Sequence, residues 1–428
     1  MESCRMMTSD IISEGIRFSR ISDEKFKSSR ISLNLIVPLG SETASENAIQ
    51  PLLWQKGCRS CPDFTLLNRR LDGMYGAALY GDVLKFGGYQ ILNLSISGLY
   101  DRFTMENRAL VREYAELLCD LVLEPKIFDG RFDATDVATE KLNLLDTIDA
   151  EINDKRSYAV SRCLSYMYEG TNIAVKKLGE RADAEKITPE SAAAAYRRVI
   201  DTAAAEIVFV GCGGADDALE VFRSRLGGLS RHAISYDPEP PVIPEREPRF
   251  ICESMDVTQG KLVMALRGRT ELDARGRLAA RVVSAMLGGT AFSLLFKNVR
   301  EKLSLCYYCL SRYDRGAGTL LLDSGVEAAK AEAARDAMLK QLDDIKEGRF
   351  SDDDFDHTLL AMRNSLRSVG DSLSSLEAWY STQIFTGGGM SPDEEETLMR
   401  TLTREEIAEA ASDFKLDTVF LLKGADEE

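Results

Sequence analysis

The segment DPEPPVIPEREP at residues 237–248 divides the chain into two stretches that follow the same order of secondary structure. Five of the 11 prolines in the chain lie in this segment, between Pro238 and Pro248. Because proline fixes its φ angle and lacks an N–H, the segment cannot form a regular helix or a central strand. We therefore predict a linker at about 230–250, a first domain at 1–229 and a second domain at 251–428.

The stretch before the linker begins its pattern at residues 31–37 (ISLNLIV), where every second residue is apolar, as in a strand. The elements predicted after it are helices at 44–57 and 63–73, strands at 77–86 and 89–97, helices at 104–122, 131–152, 157–168 and 189–200, a strand at 205–210 and a helix at 215–226.

The stretch after the linker repeats this order from a predicted strand at 261–267 (KLVMALR). The elements predicted after it are helices at 271–287 and 291–301, strands at 304–312 and 318–324, helices at 328–347, 352–370, 374–385 and 404–413, and a strand at 417–423. The late helices of both copies begin with capping sequences, at Thr188-Pro189-Glu190 and Thr403-Arg404-Glu405-Glu406. We predict an α+β fold of two duplicated α/β-sandwich halves, each a mixed, mostly antiparallel sheet with helices packed on one face.

Composition limits the classes of partner. The 428 residues include 53 Lys and Arg against 69 Asp and Glu, for a net charge of -16, which argues against a nucleic-acid partner. The excess of acidic residues keeps the protein soluble or attracts basic peptides. No apolar run reaches the 18 residues of a membrane span, and the first 30 residues lack the apolar core of a signal peptide. Nine irregularly spaced cysteines indicate reduced thiols, so we expect a cytoplasmic protein.

Histidine is nearly absent, and this limits metal chemistry. The only two are His232 and His357, whereas the helical zinc-peptidase motifs need two histidines four or five residues apart. We predict that both are structural residues and that the chain holds no catalytic metal and no other cofactor.

Two Cys-x-x-Cys pairs, Cys58/Cys61 and Cys306/Cys309, suggest either a zinc site or separate thiols. Cys306 and Cys309 lie in a predicted strand, where residues three apart point to opposite faces. No βαβ unit surrounds Cys58 and Cys61, which argues against a thioredoxin-like site. We therefore predict separate buried or free thiols.

Two stretches of the sequence resemble segments of the insulinase/pitrilysin (inverzincin) family of zinc peptidases. They are ENAIQPLLWQKG at 46–57 and GTAFSLLFKNVREKLSLCYY at 289–308. With the duplicated halves, the resemblance covers nearly the whole chain. The first stretch takes the place of the family's H-x-x-E-H helix. In that register Ala48 and Leu52 replace the metal-binding histidines, and Pro51 replaces the catalytic glutamate. The resemblance therefore implies a member with no catalytic residue and no metal site.

The family's distal glutamate ligand falls near Thr147 in EKLNLLDTIDAE, although Asp146 or Glu151 can also be aligned with it. In the second stretch the resemblance implies that Arg300 and Tyr307 bind the backbone of a peptide. The alternative is that Arg300 forms a salt bridge and Tyr307 fills the core. The family's substrate-pairing edge strand corresponds to about 77–85 (AALYGDVLK).

The early EKFK at 24–27 and the segment at 298–308 are also similar to the zinc-less member of a bacterial protein pair associated with modification of elongation factor P. This similarity implies a subunit that binds peptide or protein, as a heterodimer with a zinc-bearing paralogue or as a homodimer. Two other hypotheses remain: a scaffold with no ligand, and a thiol-dependent enzyme using Cys58 or Cys306.

Overall fold

The computed structural model describes residues 7–105, 108–236 and 243–425. Its strands are β1 Met7–Ser13, β2 Ile16–Ser22, β3 Ser28–Pro38, β4 Ala78–Phe86, β5 Tyr89–Leu99, β6 Ile127–Phe128, β7 Arg131–Phe132, β8 Ala204–Gly211, β9 Arg249–Met255, β10 Gly260–Arg267, β11 Tyr308–Asp314, β12 Thr319–Val326 and β13 Lys415–Gly424.

The α-helices are α1 Ala44–Ala48, α2 Gln50–Trp54, α3 Phe64–Gly73, α4 Leu110–Leu123, α5 Ala134–Asn153, α6 Lys155–Met167, α7 Arg181–Ala184, α8 Pro189–Thr202, α9 Ala215–Leu226, α10 Ala274–Ser284, α11 Ala331–Lys346, α12 Asp352–Val369, α13 Leu373–Phe385, α14 Pro392–Met399 and α15 Arg404–Ser412. Ala285–Gly289 and Leu295–Lys302 are wound as π-helices. Within the described ranges, every helix is too short or too polar to span a bilayer.

The chain forms two compact units. The first comprises Met1–Asp149, Val175–Asp237 and Gly370–Phe385, and the second comprises Ala150–Ala174, Pro238–Val369 and Thr386–Glu428. Each unit therefore includes a short segment from the opposite side of the predicted linker, which departs from a linear division at 230–250. Residues 237–242, the centre of that linker, lie outside the described residues.

The sheet of the first unit has the strand order β1-β2-β8-β3-β5-β4. Only β2 and β8 are parallel, and the other neighbours are antiparallel. Ile31, Leu33 and Leu35 of β3 are buried in the main core, which confirms the alternation predicted from the sequence. Helices α4 and α8 pack against this part of the sheet.

The opposite face of β3 is polar and is also buried. Ser32 and Asn34 lie on it, and the amide of Asn34 donates to the main-chain carbonyl of Glu206 at 3.1 Å. Helix α13, from the C-terminal part of the sequence, packs on β3 and β8, and its Glu377 forms an ion pair with Arg30. The sequence did not predict a helix on this second face.

The sheet of the second unit has the strand order β11-β12-β10-β13-β9, with only β13 and β9 parallel. Helix α6, from the N-terminal part of the sequence, packs on β10 and β13. The thiol of Cys163 in α6 donates toward the carbonyl of Val263 at 3.8 Å, within a separate apolar cluster. The predicted α+β class, with two mixed and mostly antiparallel sheets, is therefore confirmed.

Candidate functional site

The degenerate metal motif lies on α1 and α2 of the first unit. Ala48 and Pro51 are buried, and Leu52 is partly buried against the same core. An alanine or leucine side chain offers no lone pair to a metal, and proline offers no carboxylate to activate water. Side chains that pack in the core thus occupy all three positions at which the motif needs a metal ligand or a catalytic carboxylate.

Polar side chains beside this motif form hydrogen bonds within the same unit. Gln50 donates to the carbonyl oxygens of Glu46 at 2.9 Å and Ala192 at 3.0 Å. Asn47 donates to the side-chain oxygen of Gln90 at 3.1 Å. These hydrogen bonds hold the two short helices in place, and they were not apparent from the sequence.

The position of the distal ligand is equally unsuited to a metal. Thr147 of α5 is exposed, and its hydroxyl donates to the carbonyl of Asn143 at 2.8 Å. The buried carboxylate of this helix is instead Glu140, which pairs with Lys56 at 2.5 Å. Across the described residues, no three His, Cys, Asp or Glu side chains converge as a possible metal site. The residues therefore do not fit the zinc of the family.

Among the strands of the described residues, β4 is an edge of its sheet and pairs only with β5. The N–H of Val83 donates to the carboxylate of Asp82 at 2.7 Å, and its carbonyl accepts from the amine of Lys177 at 2.9 Å. Both main-chain groups of Val83 therefore point away from β5. By the alternation of an antiparallel ladder, those of Leu79 and Gly81 point toward the same open edge.

The edge strand runs beside the degenerate motif. A Cβ on Gly81 would lie 2.7 Å from the carbonyl oxygen of Pro51, so only glycine allows this approach. Tyr80 and Leu84, on the other face of the strand, are 53% and 41% exposed. The guanidinium of Arg30 lies 5.9 Å from the ring centre of Tyr80, beside a cleft of about 600 Å³. The strand thus combines open backbone groups with exposed apolar side chains.

Arg300 lies in the second unit, at the end of the π-helical segment Leu295–Lys302. Its guanidinium is 4.7 Å from the ring centre of Phe296 and 3.7 Å from the carboxylate of Glu301. The side chain is 41% exposed, so this ion pair is weak. Arg300 therefore remains accessible to a ligand.

Tyr307 is 59% exposed and does not fill the core. Its N–H donates to the carbonyl of Gly325 at 2.9 Å, and the chain bends at this residue before β11 begins at Tyr308. The strand predicted at 304–312 thus begins at Tyr308, four residues after its predicted start. Ser304, with a φ of 52°, lies in the irregular segment that replaces its first part.

Cys306 and Cys309 are both free and buried, which agrees with the prediction of buried or free thiols. Cys306 precedes the strand, whereas Cys309 is the second residue of β11, so the two do not alternate along one strand. The side chain of Cys309, with the hydroxyl of Ser324 and the charge of Arg300, lowers the pKa of Cys306. The side chain of Cys306 and burial raise the pKa of Cys309.

The remaining sequence candidates have structural roles. His232 is exposed beside Asp201, with a ring nitrogen 3.0 Å from the carboxylate. His357 is also exposed and stacks on Phe292 at 5.8 Å. The glycine-rich segment at 211–216 forms a tight turn, with Gly214 at a φ of 85° directly before α9.

Comparison with known proteins gives consistent results. Residues 186–362, which include Arg300 and Tyr307, match the family model described as Peptidase M16 inactive domain. The chain is 26% identical over 416 residues to the probable inactive metalloprotease YmfF of Bacillus subtilis (strain 168), and this alignment covers 96% of each protein.

Solved structures share the fold. A conserved protein from Enterococcus faecalis V583 superposes with a TM-score of 0.88 at 23% identity, covering 99% of this chain and 100% of that one. The peptidase M16 inactive domain from Pseudomonas fluorescens superposes with a TM-score of 0.79 at 16% identity, covering 99% of both chains.

Proposed function

We propose that this chain is a non-catalytic member of the M16 peptidase family that binds peptide or protein segments without cleaving them. The observation that carries the proposal is the open edge of β4. Main-chain groups at Leu79 and Gly81 are directed to an edge that an extended peptide can join as a further strand. The exposed Tyr80 and Leu84 supply apolar contacts on one face.

Arg300 and Tyr307 form a second candidate contact, in the second unit. A guanidinium donates charge-assisted hydrogen bonds to a carbonyl, and a phenol can donate one more. Both side chains are exposed enough to bind, which supports a ligand-binding role over a purely structural one. The net charge of -16 further favours basic segments in the bound protein.

We also propose that the chain acts as one subunit of a pair. Its partner is a zinc-bearing paralogue that supplies the chemistry, with a homodimer as the alternative. The client that follows from the family resemblance is elongation factor P, and the compartment is the cytoplasm. Size-exclusion chromatography of the chain, alone and with a paralogue that retains H-x-x-E-H, tests the pairing. Separate elution of the two chains, each as a monomer, would refute it.

Peptide binding is tested with two peptides of identical, basic and apolar sequence, one of which carries N-methyl groups on every amide. The methylated peptide lacks the donors that strand addition requires, whereas its side chains and charge are unchanged. We expect the unmodified peptide to bind, as measured by fluorescence anisotropy, and the methylated peptide to bind at least tenfold more weakly. Equal binding of the two would show that β4 is not the site.

The contribution of the second unit is measured with Arg300→Ala and Tyr307→Phe. Loss of affinity in both variants supports a direct contact with the peptide. Lys302→Ala removes a neighbouring exposed charge and serves as the control. If neither variant changes the affinity for any peptide, Arg300 and Tyr307 have no part in binding. Absence of binding to every peptide would favour the scaffold hypothesis.

A further inference from the structure

We propose that the cleft of about 600 Å³ beside Tyr80 binds the carboxyl terminus of a peptide that has joined β4 as an added strand. This inference rests on the proposed function, because it concerns the end of the strand that the open edge binds. It is carried by the place of the cleft on the sheet, by the amine of Lys27 and by hydroxyl groups that have no partner among the described residues.

The cleft lies where β4 begins. Ala78, the first residue of β4, pairs with Ser97 of β5, and Ser97 pairs with Arg30 of β3. Residues that pair directly across strands point to the same face of a sheet, so Ser97 and Arg30 lie side by side on the face that also carries Tyr80. All three line the cleft. The cleft therefore adjoins the open edge at the first residues of β4.

The direction of an added strand decides which of its ends reaches the cleft. Strand β4 runs from Ala78 to Phe86, so the cleft lies at its amino-terminal end. A peptide that pairs antiparallel to β4 has its carboxyl end at this point, whereas a peptide that pairs in parallel has its amino end there. The chemistry of the lining side chains distinguishes the two cases.

Lys27 supplies a cation that other groups do not engage. Its side chain is exposed, and within the described residues its amine forms no ion pair or hydrogen bond. The second cation of the cleft, Arg30, is already paired with Glu377 and donates to the hydroxyl of Ser95 at 2.9 Å. The amine of Lys27 is thus the group that can donate a charge-assisted hydrogen bond to a peptide carboxylate.

Two serine hydroxyls add further donors. Ser28 and Ser97 are partly buried, and their hydroxyls make no hydrogen bond within the part of the chain that the structure describes. Polar groups of this kind gain when a ligand supplies the missing partner. Asp371 also lines the cleft and is the group that would favour an amino end instead. Because Lys27 and the two hydroxyls can all donate to one carboxylate, the lining favours the carboxyl end and antiparallel pairing.

The test compares three forms of one basic peptide, labelled on an internal side chain so that both ends are available. The first has two free ends, the second has a carboxyl-terminal amide and the third has an acetylated amino end. Amidation removes a negative charge, so the net charge of -16 alone would make the amide bind more tightly. We expect the reverse: in fluorescence anisotropy the amide should bind about tenfold more weakly, and acetylation should have a smaller effect.

Lys27→Met identifies the cation, and Lys25→Met is its matched control. Lys25 lies two residues away, pairs with Asp23 at 2.9 Å and is not among the described residues that line the cleft. Lys27→Met should weaken binding of the free-acid peptide about tenfold, to the level of the amide. Its affinity for the amide should stay unchanged, which also shows that the variant is folded. Lys25→Met should preserve the difference between the two peptides.

Three results would overturn the assignment of the cleft: equal binding of acid and amide by the wild type, a difference that persists in Lys27→Met, or a larger loss on acetylation than on amidation. Each of them leaves strand addition intact, because that proposal is judged by the N-methylated peptide. If none of the three forms binds, the proposed function is refuted and the assignment of the cleft is refuted with it.

Discussion

Strand addition at β4 is limited by two side chains that cover the backbone of Val83, and removing them should strengthen peptide binding. Asp82 accepts the Val83 N–H at 2.7 Å, and Lys177 donates to the Val83 carbonyl at 2.9 Å. The double change Asp82→Ala and Lys177→Met uncovers both groups. The open edge is then continuous from Leu79 to Val83.

The size of the effect follows from the number of groups uncovered. A net protein hydrogen bond contributes about 1 kcal/mol, and two uncovered groups therefore add about 2 kcal/mol to the binding free energy. At about 1.4 kcal/mol for each factor of ten, each single change should lower Kd about fivefold and the double change about thirtyfold.

The assay is fluorescence anisotropy with the unmodified basic peptide. Asp82→Asn is the matched control for charge, because its amide oxygen can still accept the Val83 N–H. Lys85→Met is the control for loss of a cation near this edge, since the amine of Lys85 donates to the carbonyl of Val175. Weaker binding by the double variant, or equal gains in the two controls, would refute strand addition at this edge.

Three further predictions concern the second face of the first sheet and the region around Arg300. Glu377→Ala leaves the largely buried Arg30 without its carboxylate partner. This change should lower the free energy of unfolding by about 3 kcal/mol, as measured by urea denaturation. Gly288→Ala places a Cβ 2.5 Å from a backbone nitrogen of β11 and should cost about 1–3 kcal/mol, whereas Gly228→Ala meets no atom within 4 Å and should be nearly neutral. Arg300→Ala should raise the pKa of Cys306, because it removes a positive charge that lowers this pKa. Alkylation of Cys306 at pH 7 should therefore slow, and the pH profile of the alkylation rate should move to higher pH. An unchanged profile would mean that the charge of Arg300 does not act on the thiol.

The sequence predicted the order of strands and helices well where amphipathic periods are long. The residues at 215–226 and 352–369 form helices within one residue of the predicted limits. The hairpin of β1 and β2 was missed because Met7–Ser13 is mostly polar and lies at the sheet edge, where burial imposes no alternation. Strand β9 was missed because it directly follows the proline-rich segment.

Local patterns do not predict contacts that depend on distant segments. The polar residues Ser32 and Asn34 suggest a solvated strand face, but α13, more than 300 residues later, covers it. The late start of β11 at Tyr308 follows a bend at Tyr307, and nothing in the residue types there requires one. The degenerate motif was easier to predict, because the loss of a ligand is a property of side-chain chemistry and not of geometry.

The most direct test of a non-catalytic role is the metal content of the purified chain. Zinc is measured by atomic emission after dialysis, beside an assay of fluorogenic peptide cleavage with and without a chelator, and a relative that retains the metal motif is the positive control. We predict far less than one zinc per chain and no cleavage that the chelator blocks. One tightly bound zinc per chain, together with chelator-sensitive cleavage, would contradict this account.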